Sequence, residues 1–288
     1  MKYSLKLSDI SLRDPFILPD NGKYYLYGSG VSRVFGKSDC FSVYLSEDLE
    51  NWSEPKTVFE KHSGFWGTKQ FWAPEVHKYN GKYYMFATFK SDTACRGTQI
   101  LVSDAPDGMF EPLTDGPITP RDWECLDGTL YVDKNGTPYI VFCHEWLQVH
   151  DGEMCALELT KDLKQAAGKP ILLFRASEPE WANKNERDYI TDGPFLYRTE
   201  DGKLLMIWSS SANENYVEAV SYSDNGEITG NWKHCDNPLF EKDGGHGMIF
   251  TDFNGEEYFI YHYPNITLKE RPVLKKIIAE NGALRLKD

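Results

Sequence analysis

Along this chain short apolar runs alternate with turn-forming pairs, and no stretch repeats its apolar residues at helical spacing over about 12 residues or more. Five times an Asn-Gly or Asp-Gly pair precedes a strand-like run. Asn21-Gly22 precedes Tyr24-Tyr-Leu-Tyr27, Asn80-Gly81 precedes Tyr83-Tyr-Met-Phe86, and Asn135-Gly136 precedes Tyr139-Ile-Val-Phe142. Asp201-Gly202 precedes Leu204-Leu-Met-Ile-Trp208, and Asn254-Gly255 precedes Tyr258-Phe-Ile-Tyr261. Such pairs accept the left-handed backbone of tight turns, so each predicts an antiparallel hairpin.

The run on the other side of each turn opens with a polar residue. These are Asp14 in Asp14-Pro-Phe-Ile-Leu, Glu75 in Ala73-Pro-Glu-Val, Asp127 in Leu126-Asp-Gly-Thr, Asp192 in Thr191-Asp-Gly-Pro, and His246 in Gly245-His-Gly-Met. They are spaced by 61, 52, 65 and 54 residues, and further short runs such as Phe41–Ser46, Gln99–Ser103 and Val217–Tyr222 follow the hairpins. Each unit thus predicts three or four short strands. Four-stranded sheets at this period bury their faces by packing radially. The expectation is an all-β fold, a five-bladed β-propeller of four-stranded blades around a central channel, filling residues 1–288 as a single domain. A β-sandwich with long loops is the alternative, but it gives no reason for a polar residue to open every repeat.

Composition narrows the partners. Lys and Arg number 31 against 44 Asp and Glu, a net charge of −13. Such a surface repels phosphate backbones and anionic lipid, so neither nucleic acid nor membrane is an expected partner. No apolar run approaches the roughly 20 residues that span a bilayer. The opening residues lack the apolar stretch and small-residue cleavage site of a secretory leader, so the chain as written reads as cytoplasmic, or as periplasmic or secreted if a leader has been removed. Cys40, Cys95, Cys125, Cys143, Cys155 and Cys235 lie far apart without metal-ligand spacing and read as reduced thiols.

In a propeller the first strand of each blade lines the channel, so the five opening residues gather at one mouth. Four carboxylates and a histidine there are costly to crowd, because like charges raise one another's pKa values. Crowded carboxylates in different surroundings split into one that stays ionised and one that keeps its proton, which is what paired acid and base work needs. Hydrolysis of a glycosidic bond uses that pair. Trp66, Phe71, Trp72, Trp123, Trp146, Trp181 and Trp208 lie near the anchors in sequence and supply either sugar-stacking faces or packing between blades.

These opening motifs, taken in order from about Leu12 to about Val273, resemble the blade starts of glycoside hydrolase family 43. The resemblance implies a five-bladed propeller that hydrolyses arabinofuranosides, xylosides or galactosides of oligo- and polysaccharides with inversion. It implies Asp14 as general base, Asp127 as the residue that orients the acid, and Asp192 as general acid. The family's acid is a Glu in Glu-Gly-Pro, and Asp192 is one methylene shorter. Glu75 stands where the family has Asp and is expected to bind sugar hydroxyls, act as an acid or hold a loop. Glu145, in Cys143-His-Glu-Trp146, is the second candidate for the acid. Trp72, Trp146, Arg187 and His246 are expected around the substrate, with Arg96 and His262 nearby. No cofactor is required, although a Ca2+ or similar ion in the channel near His246 is compatible with the resemblance.

Two rival readings fit the same residues. One is a sugar-binding propeller without catalysis, suggested by the Asp192 and Glu75 departures. The other is a retaining, fructosidase-like propeller, suggested by Arg13-Asp14-Pro15 and Glu124-Cys125. Substrate choice is expected to lie in the connections Ser29 to Asp39, Ser91 to Gly97 and Glu178 to Asp188. The sugar, exo or endo action and the oligomeric state are not readable from sequence.

Overall fold

The computed structural model describes residues 2–30, 39–182, 187–280 and 283–287. Five antiparallel sheets follow one another along the chain. In blade 1, Leu12–Asp20 pairs with Lys23–Gly30, which pairs with Cys40–Ser46. That third strand pairs with both Lys56–Glu60 and Trp52–Ser53, and Tyr3–Leu5 adds to Trp52–Ser53. Blade 2 runs outward as Lys69–Tyr79, Lys82–Lys90, Gly97–Ser103 and Glu111–Pro112. Blade 3 is Cys125–Val132, Pro138–His144, Glu153–Glu158 and Ile171–Arg175, and blade 4 is Asp192–Arg198, Leu204–Ala212, Asn215–Ser223 and Trp232–His234. Blade 5 is Gly245–Thr251, Glu257–Tyr263, Arg271–Glu280 and Ala283–Leu286.

Each inner strand touches the inner strands of the blades before and after it, and that of blade 5 touches that of blade 1, so the ring closes. Apolar faces meet between blades. Phe41 and Phe59 of blade 1 pack against Phe71 and Phe89 of blade 2, and Tyr24 of blade 1 packs against Phe250 and Phe253 of blade 5. The Arg271 Nε–H also donates to Ser8 O at 3.0 Å across that last junction. None of the six cysteines forms a disulfide.

The hairpin turns obey their sequence: Asn21 and Gly22 have φ of 49° and 76°, and Asn80 and Gly81 have 47° and 79°. A second regularity is local to the channel. Every inner strand slips register near its start, that of blade 2 twice, and a residue with positive φ sits at each slip: Asp14 (53°), Gln70 (53°) and then Ala73 (42°) in blade 2, Asp127 (55°), Gly193 (51°) and His246 (51°), with Ala73 taken below as the bulge of blade 2. Such a bulge bends the strand and re-aims a side chain. The anchors read from sequence therefore coincide with the bulge in blades 1, 3 and 5 only. Glu75 lies two places beyond the bulge of blade 2, and Asp192 lies one place before that of blade 4.

Of the three connections expected to set specificity, residues 31–38 and 183–186 lie outside the described residues. Several of the expected sugar platforms are packing instead. Trp208 is fully buried with Trp181 against it, Phe71 is buried, Trp66 packs on Phe65 and Phe89, and Trp123 stacks on His144 at 4.1 Å.

Candidate active site

The bulges of blades 1 and 3 deliver Asp14 and Asp127 to a cavity of about 490 Å³ at one mouth of the channel. Arg13 and Asp14 of blade 1, Trp72 of blade 2, Asp127, Glu145 and Trp146 of blade 3, and Asp192 and Tyr216 of blade 4 line it. Asn265 and Thr267 extend the wall from blade 5.

Asp14 is buried among donors. The Ser29 hydroxyl donates to its Oδ2 at 2.5 Å, the Arg13 Nε–H to its Oδ1 at 3.2 Å, and His246 Nδ1 lies 3.2 Å from Oδ1. Burial alone would raise this carboxyl's pKa, but His246, Arg13, His262 and Ser29 outweigh it and hold Asp14 well below the usual carboxylate range. The Asp14 N–H donates to His262 Nδ1 at 3.3 Å, which places the ring proton on Nε2, opposite Asn265 Oδ1 at 3.2 Å. Burial and then Arg13 push His262 down to about 3, so it is a neutral prop. Arg13 is backed in turn by the fully buried Glu270, at 3.4 Å.

Asp127 and Asp192 stand in the opposite condition. Burial raises both, His246 opposes the rise, and for Asp127 the nearby Asp192 and Asp14 add to it. Asp127 is raised to about 7, and Asp192 is raised as well, so the neutral forms of both are favoured. The Gly193 N–H donates to Asp127 Oδ2 at 3.1 Å, and the Tyr216 hydroxyl donates to Asp192 Oδ2 at 3.0 Å. Between the two conditions sits His246, whose Nδ1 is also 3.7 Å from Asp127 Oδ2. Burial disfavours its charge, yet Asp14, Asp127, Asp192 and Glu75 raise its pKa. Gly193 cannot be replaced cheaply here, because a Cβ would meet His246 Cδ2 at 2.6 Å and its φ is positive.

A second charged cluster forms one flank. Buried Arg96 makes an ion pair with Glu145, donates to Gln70 Oε1 at 3.0 Å, and lies 4.5 Å over the Trp72 ring. This places Trp72, Glu145 and Trp146 on the wall and matches the charge of Glu145, which suits contact with hydroxyls more than proton donation. Three expected contacts lie off the wall. Glu75 faces His77, at 3.1 Å, deeper in the channel; His246 is enclosed by Asp14 and Asp127; Arg187 is exposed beside Asp188. For Glu75 the reason is the two-residue offset from the bulge.

Among the described residues no three His, Cys, Asp or Glu side chains converge as metal ligands. A hydrated cation resting on His246 would compete with the proton that the surrounding carboxylates draw onto that ring. Sequence reasoning passed over Tyr216, Ser29, Asn265 and Thr267. Tyr216 follows the polar run Ser211-Ala-Asn-Glu-Asn, an abrupt change after an apolar strand, and that was the available signal.

The family model described as "Glycosyl hydrolases family 43" matches residues 7–282. The chain is 42% identical to a protein whose crystal structure is described as endo-arabinase from Bacteroides thetaiotaomicron VPI-5482, with a TM-score of 0.91, covering 98% of this chain and 99% of that one. It is 25% identical over 263 residues to the extracellular endo-alpha-(1->5)-L-arabinanase 1 of Bacillus subtilis (strain 168), covering 85% of this chain and 74% of the relative. A thermostable family-43 glycoside hydrolase aligns at 25% identity and a TM-score of 0.85, covering 100% of this chain and 96% of that one. Among the described residues no helix is long and apolar enough to cross a membrane.

Proposed function

Because this chain belongs to glycosyl hydrolase family 43, it is an O-glycosyl hydrolase of an inverting family, and we propose that it cleaves arabinan chains with Asp14 as general base, Asp192 as general acid and Asp127 orienting the acid. The likeness to an endo-arabinase at 42% identity supports arabinan over xylan. One observation carries the residue roles. On the wall of a single cavity, one carboxylate lies against Arg13, His246 and the Ser29 hydroxyl, which favour its ionised form, while two others are buried where the neutral form is favoured.

In this reading Asp192 gives its proton to the glycosidic oxygen as the bond from that oxygen to the anomeric carbon breaks. Asp14 takes a proton from a water whose oxygen bonds the anomeric carbon from the opposite face. Asp192 ends ionised and Asp14 protonated, and exchange with solvent restores both. Tyr216, on the same wall, fixes the orientation of Asp192 by its hydrogen bond to Oδ2. Trp72 and Trp146 offer apolar faces to the sugar rings, and the Arg96–Glu145 pair and Asn265 offer hydroxyl partners. No step uses a metal. The test is NMR of the first product released from linear arabinan: the inverted anomer is expected. A retained anomer would move the mechanism to the fructosidase-like rival, and binding without new reducing ends would leave a sugar-binding propeller.

A further inference from the structure

At each of the five junctions the bulge residue's N–H donates to the preceding blade at the channel mouth, and at four of them the bond has one form. The second-strand residue facing the position just before the bulge accepts the N–H of the next blade's bulge residue. Ser29 Oγ accepts from Ala73 at 2.8 Å, Thr88 Oγ1 from Asp127 at 2.9 Å, Ser209 Oγ from His246 at 2.6 Å, and His262 Nδ1 from Asp14 at 3.3 Å. At the junction of blades 3 and 4 that position holds Cys143, paired with Leu126 as Ser29 is paired with Arg13. There the bulge N–H, of Gly193, donates to Asp127 Oδ2 instead.

Cys143 is fully buried, and burial keeps its thiol neutral. Thiol sulfur is a weak acceptor beside a carboxylate. Blade 1 shows what a hydroxyl does in the same place: Ser29 accepts the Ala73 N–H and donates to Asp14 Oδ2, standing between the carboxylate and the next blade's backbone.

We propose that Cys143 is a positioning residue for the reaction: by withholding a good acceptor at the junction of blades 3 and 4, it leaves the Gly193 N–H to Asp127 and ties that carboxylate to the peptide carrying Asp192. The inference rests on the reading of Asp192 as acid and Asp127 as its orienter. A hydroxyl at position 143 inserts itself into the link, as Ser29 does, and the acid loses its alignment.

The test compares Cys143→Ser, and Cys143→Thr on the precedent of Thr88, with Cys155→Ser, which exchanges a buried thiol for a hydroxyl elsewhere in blade 3. Turnover is measured on aryl glycosides of graded leaving-group acidity. For poor leaving groups kcat falls about tenfold in the position-143 variants, on the scale of one misplaced hydrogen bond to a charged group, with KM within about twofold. Good leaving groups are spared, so the leaving-group dependence steepens, and a crystal structure shows the Gly193 N–H on the new hydroxyl. Cys155→Ser changes neither readout. Unchanged leaving-group dependence in the folded variants, or a Gly193 N–H still on Asp127, overturns the proposal. Asp192→Ala run in parallel separates the two ideas. If that variant keeps the original leaving-group dependence, the acid assignment falls, while the partner of the Gly193 N–H still decides what Cys143 does.

Discussion

Asp14 and Asp127 occupy equivalent bulges of equivalent strands, with φ of 53° and 55°, and both touch the ring of His246. Their chemistry is opposite. Asp14 has Arg13, His246, His262 and the Ser29 hydroxyl around it and is held ionised; Asp127 has His246 and one backbone amide, faces Asp192, and is raised. The repeat therefore decides where a carboxylate stands, and the one or two side chains beside it decide whether it keeps its proton. A propeller can in this way build an acid and a base from copies of one strand, by changing neighbours and leaving the backbone alone.

The comparison breaks most completely at Asp14→Asn. The amide keeps the shape and accepts the Ser29 hydroxyl, but it cannot take a proton from water. The expected outcome is a fall in kcat of about 10²- to 10⁴-fold on arabinan in a protein that still folds, with a lowered Tm because Arg13 and His246 lose their ionised partner. Turnover near that of the unmodified enzyme would remove Asp14 as the base and leave its donors without a catalytic explanation.

A smaller change should make Asp14 more like Asp127. In the unmodified enzyme activity persists as pH falls until Asp14 is protonated, well below the ordinary carboxylate range, and it is lost as pH rises through the raised pKa of the Asp127–Asp192 pair. Ser29→Ala removes a donor that favours the ionised form of Asp14. The acid limb of kcat/KM is then expected to move up by about one pH unit, with the alkaline limb in place. Movement of the alkaline limb alone would show that Ser29 acts on the pair, contrary to the geometry.

How much of this was legible in the sequence follows from the same division. The five blades could be read because turn pairs and apolar runs are local signals, and Asp14, Asp127 and His246 could be placed because they sit on the bulge itself. Glu75 misled because a polar residue at a strand start says nothing about the register slip two places earlier, which turns it toward His77. The aromatics stayed open between sugar faces and packing because Trp208 and Phe71 lie near anchors in sequence, while between blades every strand also needs large apolar filling, which is the place both take. Tyr216 and Asn265 come from a third strand and from the loop after a second strand, and they reach the cavity only because the blades are wedge-packed, a fact of tertiary structure with no counterpart in local pattern.

Glu218 offers the mildest test, because it is a buried carboxyl of the same channel that the proposed chemistry does not use. Its Oε2 accepts from the Ser209 hydroxyl at 2.8 Å and from the Gly247 N–H at 3.2 Å, while Oε1 is buried without a hydrogen-bond partner among the described residues. Burial pushes it up to about 8, against hydrogen bonds and His246 that act the other way. In the unfolded chain its pKa returns to an ordinary 4.5. Between those values the native state holds a proton that the unfolded state has released, so this stabilising contribution is complete below the unfolded value and is lost as pH rises toward 8. Glu218→Gln keeps an oxygen for Ser209 and Gly247 and has no proton to lose. Its Tm should therefore decline less steeply than that of the unmodified protein from pH 5 to 8, by on the order of a few degrees across the window. Asp127 and Asp192 titrate in both proteins and cancel from the difference, so equal slopes would mean that Glu218 is already ionised in the folded protein across this window.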